Sequence, residues 1–246
     1  MRFYLLTILI QVALVVHVIK TGRNTIWIYV LVFVPLVGGL AYFIVELAPE
    51  LMGSRTARSA LRNVQRAVDP DRDLRQASVT AEITDTVAAK ASLGAARARR
   101  GDYAGAIETY RAGLKGIYEH DPTLLLGLAE AQFASGDGAG AAASLEDLWA
   151  HNPDAKSPDS QLLYARALEQ QGAAERAEKI YRALAPGYPG AEARVRHGQL
   201  LKALGRADEA RAAFAEVLKT AELAPRHVRK AQAEWISLAR RELGSG

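Results

Sequence analysis

Residues 94–110 read GAARARRGDYAGAIETY. The stretch lacks the alternation of a strand and places Gly101 between two runs of helix-forming residues. Ala106 follows the glycine by five residues and Tyr110 by nine. The same triplet returns as Gly136, Ala141 and Leu145, as Gly172, Ala177 and Tyr181, and as Gly205, Ala210 and Phe214. Subtraction gives spacings of 35, 36 and 33 residues between successive glycines. Pro153 and Pro189 each lie seventeen residues past a repeat glycine. Self-similarity at this period predicts a stack of helix pairs, with glycine at the turn, alanine where the helices cross, and the large residue filling space against the next pair.

The pattern resembles the tetratricopeptide repeat, a helix-turn-helix unit of about 34 residues. The first unit carries it in Leu93-Gly94, Gly101, Tyr103, Ala106, Tyr110 and Leu114; Ala129, Ala165 and Gly198 mark the first helices of the later units. The large aromatic usual early in the first helix is absent, and Lys90, Leu125, Gln161 and Arg194 stand there. The resemblance covers about residues 87–222 and implies an all-α solenoid of about four helix pairs plus capping helices. A stack needs closed ends. Residues 71–85 and Pro225 to Leu243 are the expected caps, the second with Val228, Ala231, Trp235, Leu238 and Ala239 near helical spacing.

The resemblance also implies that the first helices line a concave face and that this face binds a protein partner. It places Arg99, Glu130, Phe133, Arg166, Glu169, Gln170, Gln199 and Lys202 on that face. The set mixes both charges with one aromatic and does not reproduce the lysine/asparagine clamp that some such repeats use for terminal carboxylates.

Upstream of the repeats the composition changes. Residues 3–19 (FYLLTILIQVALVVHVI) and 26–45 (IWIYVLVFVPLVGGLAYFIV) hold no Asp, Glu, Lys or Arg. About 20 residues of helix span a hydrocarbon core of about 30 Å, so the two segments predict a two-helix transmembrane hairpin. No small-x-small cleavage site precedes the polar loop, which argues against a removed signal peptide. Arg2, Arg55, Arg58, Arg62 and Arg66 flank the hairpin, against Lys20 and Arg23 in its loop, so both termini are expected in the cytoplasm. Trp27, Pro35, Gly38 and Tyr42 within the apolar run resemble the N-terminal membrane region of cardiolipin synthases and related phospholipase D proteins. That family's His-x-Lys motif is missing, so the resemblance implies an anchor without phospholipase chemistry. A helix is expected from Ser54 to about Val68, with Arg55, Arg58, Arg62 and Arg66 on one face. Such a stripe is a candidate contact for anionic lipid, at about 1 kcal/mol per basic residue.

Composition closes off other classes. The chain has 246 residues and no cysteine, which excludes disulfides, thiolate catalysis and cysteine-bound metal. Its five histidines are scattered, so no histidine metal site is expected. A net charge of +4 over this length does not call for nucleic acid. No phosphate-binding loop, G-x-S-x-G or H-E-x-x-H is present. The stretch Asp69-Pro70-Asp71-Arg72-Asp73 lacks the glycine and glutamate of a calcium loop and reads as a helix-capping turn.

The expected organisation is a membrane anchor over 1–50, a basic juxtamembrane helix and cap over 51–85, repeats over 86–223 and a capping helix with tail over 224–246. The expected role is a non-enzymatic, cofactor-free adaptor at a bacterial inner membrane, with self-association left open. The alternative is an accessory subunit of phospholipid metabolism that recognises anionic lipid.

Overall fold

A computed structural model describes residues 71–244, together with the helical positions Val16, Val18 and Lys20. The segments read as a hairpin and the arginine stripe otherwise lie outside the described residues. Among the described residues, no helix is long and apolar enough to cross a membrane.

Residues 71–244 contain eleven α-helices and no strand. They are α1 (Arg72–Ile83), α2 (Val87–Arg99), α3 (Tyr103–Gly113), α4 (Pro122–Ala134), α5 (Gly138–His151), α6 (Pro158–Gln170), α7 (Ala174–Leu184), α8 (Glu192–Ala203), α9 (Ala207–Leu223), α10 (Arg226–Ala231) and α11 (Ala233–Gly244). Helices α2 to α9 pack as four successive pairs, each pair against the next. Residues from Asp73 onward form one compact unit.

Local chemistry sets the helix ends. Asp102, Asp121 and Asp137 cap α3, α4 and α5 by accepting hydrogen bonds from backbone N–H groups of the first turn, at 2.8–3.0 Å. Pro122 and Pro158 open α4 and α6, where a missing N–H is harmless. The four repeat glycines all have positive φ, between 77° and 94°. At each, the next residue donates back five positions: Asp102 to Arg97, Asp137 to Gln132, Ala173 to Leu168 and Arg206 to Leu201, at 2.8–3.0 Å. This is the Schellman closure of a helix C-terminus, and it requires the left-handed residue that glycine supplies.

The other anchors are buried as their spacing predicts. Ala106, Ala141, Ala177 and Ala210, and likewise Tyr110, Leu145, Tyr181 and Phe214, are almost wholly removed from solvent. Tyr110 is held between Gly94 and Gly127, where a Cβ would come within 2.6 and 2.5 Å of its ring. Gly198 admits Phe214 in the same way. Two glycines therefore make the room in which one aromatic joins the first pair to the second.

The two ends differ from the sequence expectation. A helix lies within 71–85, but α1 buries none of its residues. The single C-terminal helix expected over 225–243 is two helices, broken at Gln232. The Gln232 side chain accepts a hydrogen bond from the Ala191 backbone N–H at 2.9 Å, at the start of α8. That bond satisfies a helix N-terminus that has no side-chain cap of its own. Helix α11 buries Ala239 against α9 and completes a core with Val195, Phe214 and Val217.

Candidate functional site

Helices α2, α4 and α6 lie side by side, so their outer faces form a continuous surface. Between α4 and α6 this surface sinks into an open groove of about 690 Å³. Glu130, Phe133 and Arg166, from the sequence-derived set, line it together. The Arg166 guanidinium sits over the Phe133 ring, 4.5 Å from its centroid, a cation–π contact at a half-buried site. Gln170 donates to the Phe133 carbonyl at 3.2 Å, which ties the end of α6 to the end of α4.

The electrostatics follow from partial burial. Desolvation raises the Glu130 carboxyl above its ordinary range. Desolvation and then the neighbouring Arg196 lower Arg166, with Glu192 acting in the opposite sense. Tyr188, from the segment before α8, donates to Asp159 at 2.9 Å; desolvation and that carboxylate push its hydroxyl up to about 12. The groove thus sets the Arg166 guanidinium and the carboxyl groups of Glu130, Asp159 and Glu192 around an apolar floor of Leu126, Leu162 and Leu163.

The remaining candidates do other things. Glu169 accepts from the hydroxyl of the buried Tyr181 at 2.5 Å, which anchors a core residue. Lys202 pairs with Glu242 of α11 at 2.7 Å, and Gln199 hydrogen-bonds the same carboxylate, whose pKa is lowered chiefly by Lys202. Arg99 lies near the Tyr110 hydroxyl, and its charge opposes the rise that burial and Glu130 produce there.

Sequence reasoning missed Leu126, Asp159, Leu162, Tyr188 and Glu192. Four of them carried a readable signal. Counted back from the repeat glycine, Asp159 and Glu192 stand at thirteen, Leu126 and Leu162 at ten, and Glu130 and Arg166 at six. Steps of three and four keep all of these on one helix face. Tyr188 carried none, because it lies in a loop.

The fold also gathers residues that looked scattered. His120 and His151, 31 positions apart, both bring Nδ1 close to the Asp147 carboxylate, at 3.0 and 2.9 Å. Histidines scattered in the sequence are thus brought together in space, because the turn before α4 packs onto the end of α5.

Comparison with known proteins agrees with this architecture. Models of the tetratricopeptide repeat match residues 97–156, 132–196 and 192–221. No curated protein matches the chain significantly in sequence. Among solved structures, a MamA double mutant (MamA RS-1 ArsTM) is similar, at 17% identity and a TM-score of 0.56, covering 66% of this chain and 90% of its own. A tetratricopeptide repeat protein from Parabacteroides merdae ATCC 43184 aligns at 19% identity and a TM-score of 0.49, over 77% and 70% of the two chains. With four Schellman turns, four buried crossing alanines and matching family models, residues 97–221 are tetratricopeptide repeats.

Proposed function

We propose that this chain is a non-catalytic scaffold whose α4–α6 groove receives an apolar segment of a protein partner that also carries a basic group and an acidic group. One observation carries the reading: the half-buried Arg166 stacked on Phe133 in a groove rimmed by Glu130, Asp159 and Glu192. Aromatic and arginine side chains supply much of the affinity at such interfaces. The carboxylates suit a basic residue of the ligand, and Arg166 suits an acidic one. Gln199 and Lys202, the equivalents on α8, are engaged by α11, which supports the groove rather than the whole concave face as the docking site.

The reading extends to location. The charge-free segments 3–19 and 26–45 support a two-span anchor that holds the repeats at the cytoplasmic face of a bacterial inner membrane. A reporter fused after Gly246 should then be active only in its cytoplasmic form. Arg55, Arg58, Arg62 and Arg66, the basis of the lipid-binding alternative, lie outside the described residues.

The test is affinity capture with the full chain, solubilised in detergent, beside the variants Arg166→Glu and Phe133→Ala. A partner retained by the wild type and lost from both variants is the expected result. A partner retained equally by all three removes the groove from the account.

A further inference from the structure

A second cluster lies at the end of the α4–α5 pair opposite the Gly136 turn, and none of its residues lines the groove. Asp147 and His151 stand four residues apart in the last turns of α5, so the helix itself puts them on one face. His120 arrives from the turn before α4. Asn152, the C-cap of α5, donates to the His120 carbonyl at 2.8 Å and pins that turn in place. The two imidazoles stack with centroids 3.4 Å apart and planes 6° from parallel. Both Nδ1 atoms lie against the same Asp147 oxygen, and His151 Nδ1 is also 3.1 Å from the Asp147 carbonyl.

One atom in this arrangement is unsatisfied. His120 Nδ1 is shut off from solvent and makes no properly directed hydrogen bond, although the carboxylate is near. Buried polar atoms without a partner are rare in folded proteins, and each asks for an explanation. Two imidazole nitrogens and a carboxylate oxygen, all within 4.8 Å of one another, are a donor set that a cation can draw together.

We propose that His120, Asp147 and His151 form a binding site for a divalent transition-metal cation of the zinc class. The ligand chemistry selects the class: imidazole nitrogen with carboxylate suits zinc and its neighbours, whereas magnesium and calcium take all-oxygen sets. The chain has no cysteine to offer a competing thiolate site. Three protein ligands leave one tetrahedral position for water. An imidazole binds metal in its own ring plane, so loading swings the two rings out of their stack. The ion clamps the turn before α4 to the end of α5 and closes the open end of the second repeat, the unit that supplies Glu130 and Phe133 to the groove.

The test is titration of the metal-free full chain in detergent with ZnCl2, read by calorimetry and by the histidine ring signals in NMR, with MgCl2 as comparison. One saturable equivalent of Zn2+, with the ring signals of His120 and His151 displaced and no response to Mg2+, is the expected result. Saturable binding should be lost in His120→Ala and in His151→Ala and kept in His227→Ala, an exposed position on α10. The wild-type ring signals decide the matter even if a variant fails to fold. Absence of saturable Zn2+ binding, binding that leaves those two rings unmoved, or binding that survives both substitutions overturns the proposal.

Discussion

The middle of the stack and its C-terminal end use the same repeat positions for opposite ends. Six residues before their glycines stand Glu130, Arg166 and Gln199; three residues before stand Phe133, Glu169 and Lys202. On α4 and α6, Glu130, Phe133 and Arg166 line an open groove. On α8, Gln199 and Lys202 reach the Glu242 carboxylate of α11. Equivalent positions in a repeat therefore do not imply equivalent roles, because the neighbour decides what each side chain meets. An inner unit faces another first helix, whereas the last unit faces the cap.

The largest effect should come from removing the centre of the C-terminal core. Phe214 is 1% exposed, and its ring fills the space above Gly198. Phe214→Ala should cost about 3–5 kcal/mol. Repeat stacks couple mainly to nearest neighbours, so hydrogen exchange should show protection lost from α8 to α11 and kept from α2 to α5. Uniform loss across the chain would mean that the two regions are one cooperative block.

The joint between the regions is next. Glu178 of α7 is 4% exposed and meets Arg182 at 2.6 Å, His197 of α8 at 3.2 Å and Arg206, the residue before α9, at 3.4 Å. Burial alone would raise its pKa, but the hydrogen bonds from Arg182 and His197 and the charges of Arg182 and Arg206 prevail, and the net shift is downward from 4.5. A carboxyl with a depressed folded-state pKa adds stability that is present above its unfolded pKa and lost as pH falls toward the folded one. Glu178→Ala should cost about 3 kcal/mol at pH 7. Its deficit relative to wild type should shrink below about pH 4.5, as urea melts across pH 3–7 will show.

Crossing positions come third. Ala177 is wholly buried, whereas Ala174 is only partly buried at the edge of the same core. Ala177→Leu should cost about 1–3 kcal/mol by overpacking, concentrated in the third pair and its neighbours. Ala174→Leu should be milder, and since both changes introduce the same good helix former, propensity cannot produce the difference. Equal exchange protection in the two variants would displace the register on which the groove rests.

The smallest effect should follow Glu242→Gln. Lys202 is half exposed, and exposed ion pairs contribute about 0–1 kcal/mol. A thermal melt of this variant should shift by no more than a few degrees. A larger shift would make the cap, rather than the repeat cores, the source of C-terminal stability.

The repeat register was legible because its physics is local: a left-handed turn residue, a crossing residue and a space-filler at fixed offsets. Gly101, Gly136, Gly172 and Gly205 could be read one unit at a time, and each adopts the conformation that the spacing implied. The groove was half legible. Glu130, Phe133 and Arg166 lie in the last two turns of their helices, where the resemblance drew attention, while Asp159 and Leu126 continue the same face earlier. What stayed hidden depends on distant partners. Gln232 interrupts the terminal helix and caps α8 across 41 positions, and His120 meets Asp147 only because the turn before α4 packs on the end of α5. No local pattern encodes either contact.

The central claim is that the α4–α6 groove, and not the α8 end of the same face, takes the partner. Site-specific photo-crosslinking in the source cells tests it most directly, with a benzophenone amino acid at position 133 or, in a second strain, at position 202. The account predicts a discrete crosslinked adduct from position 133, abolished by Arg166→Glu, and none from position 202. Adducts from position 202 alone, or equally from both positions, would contradict it.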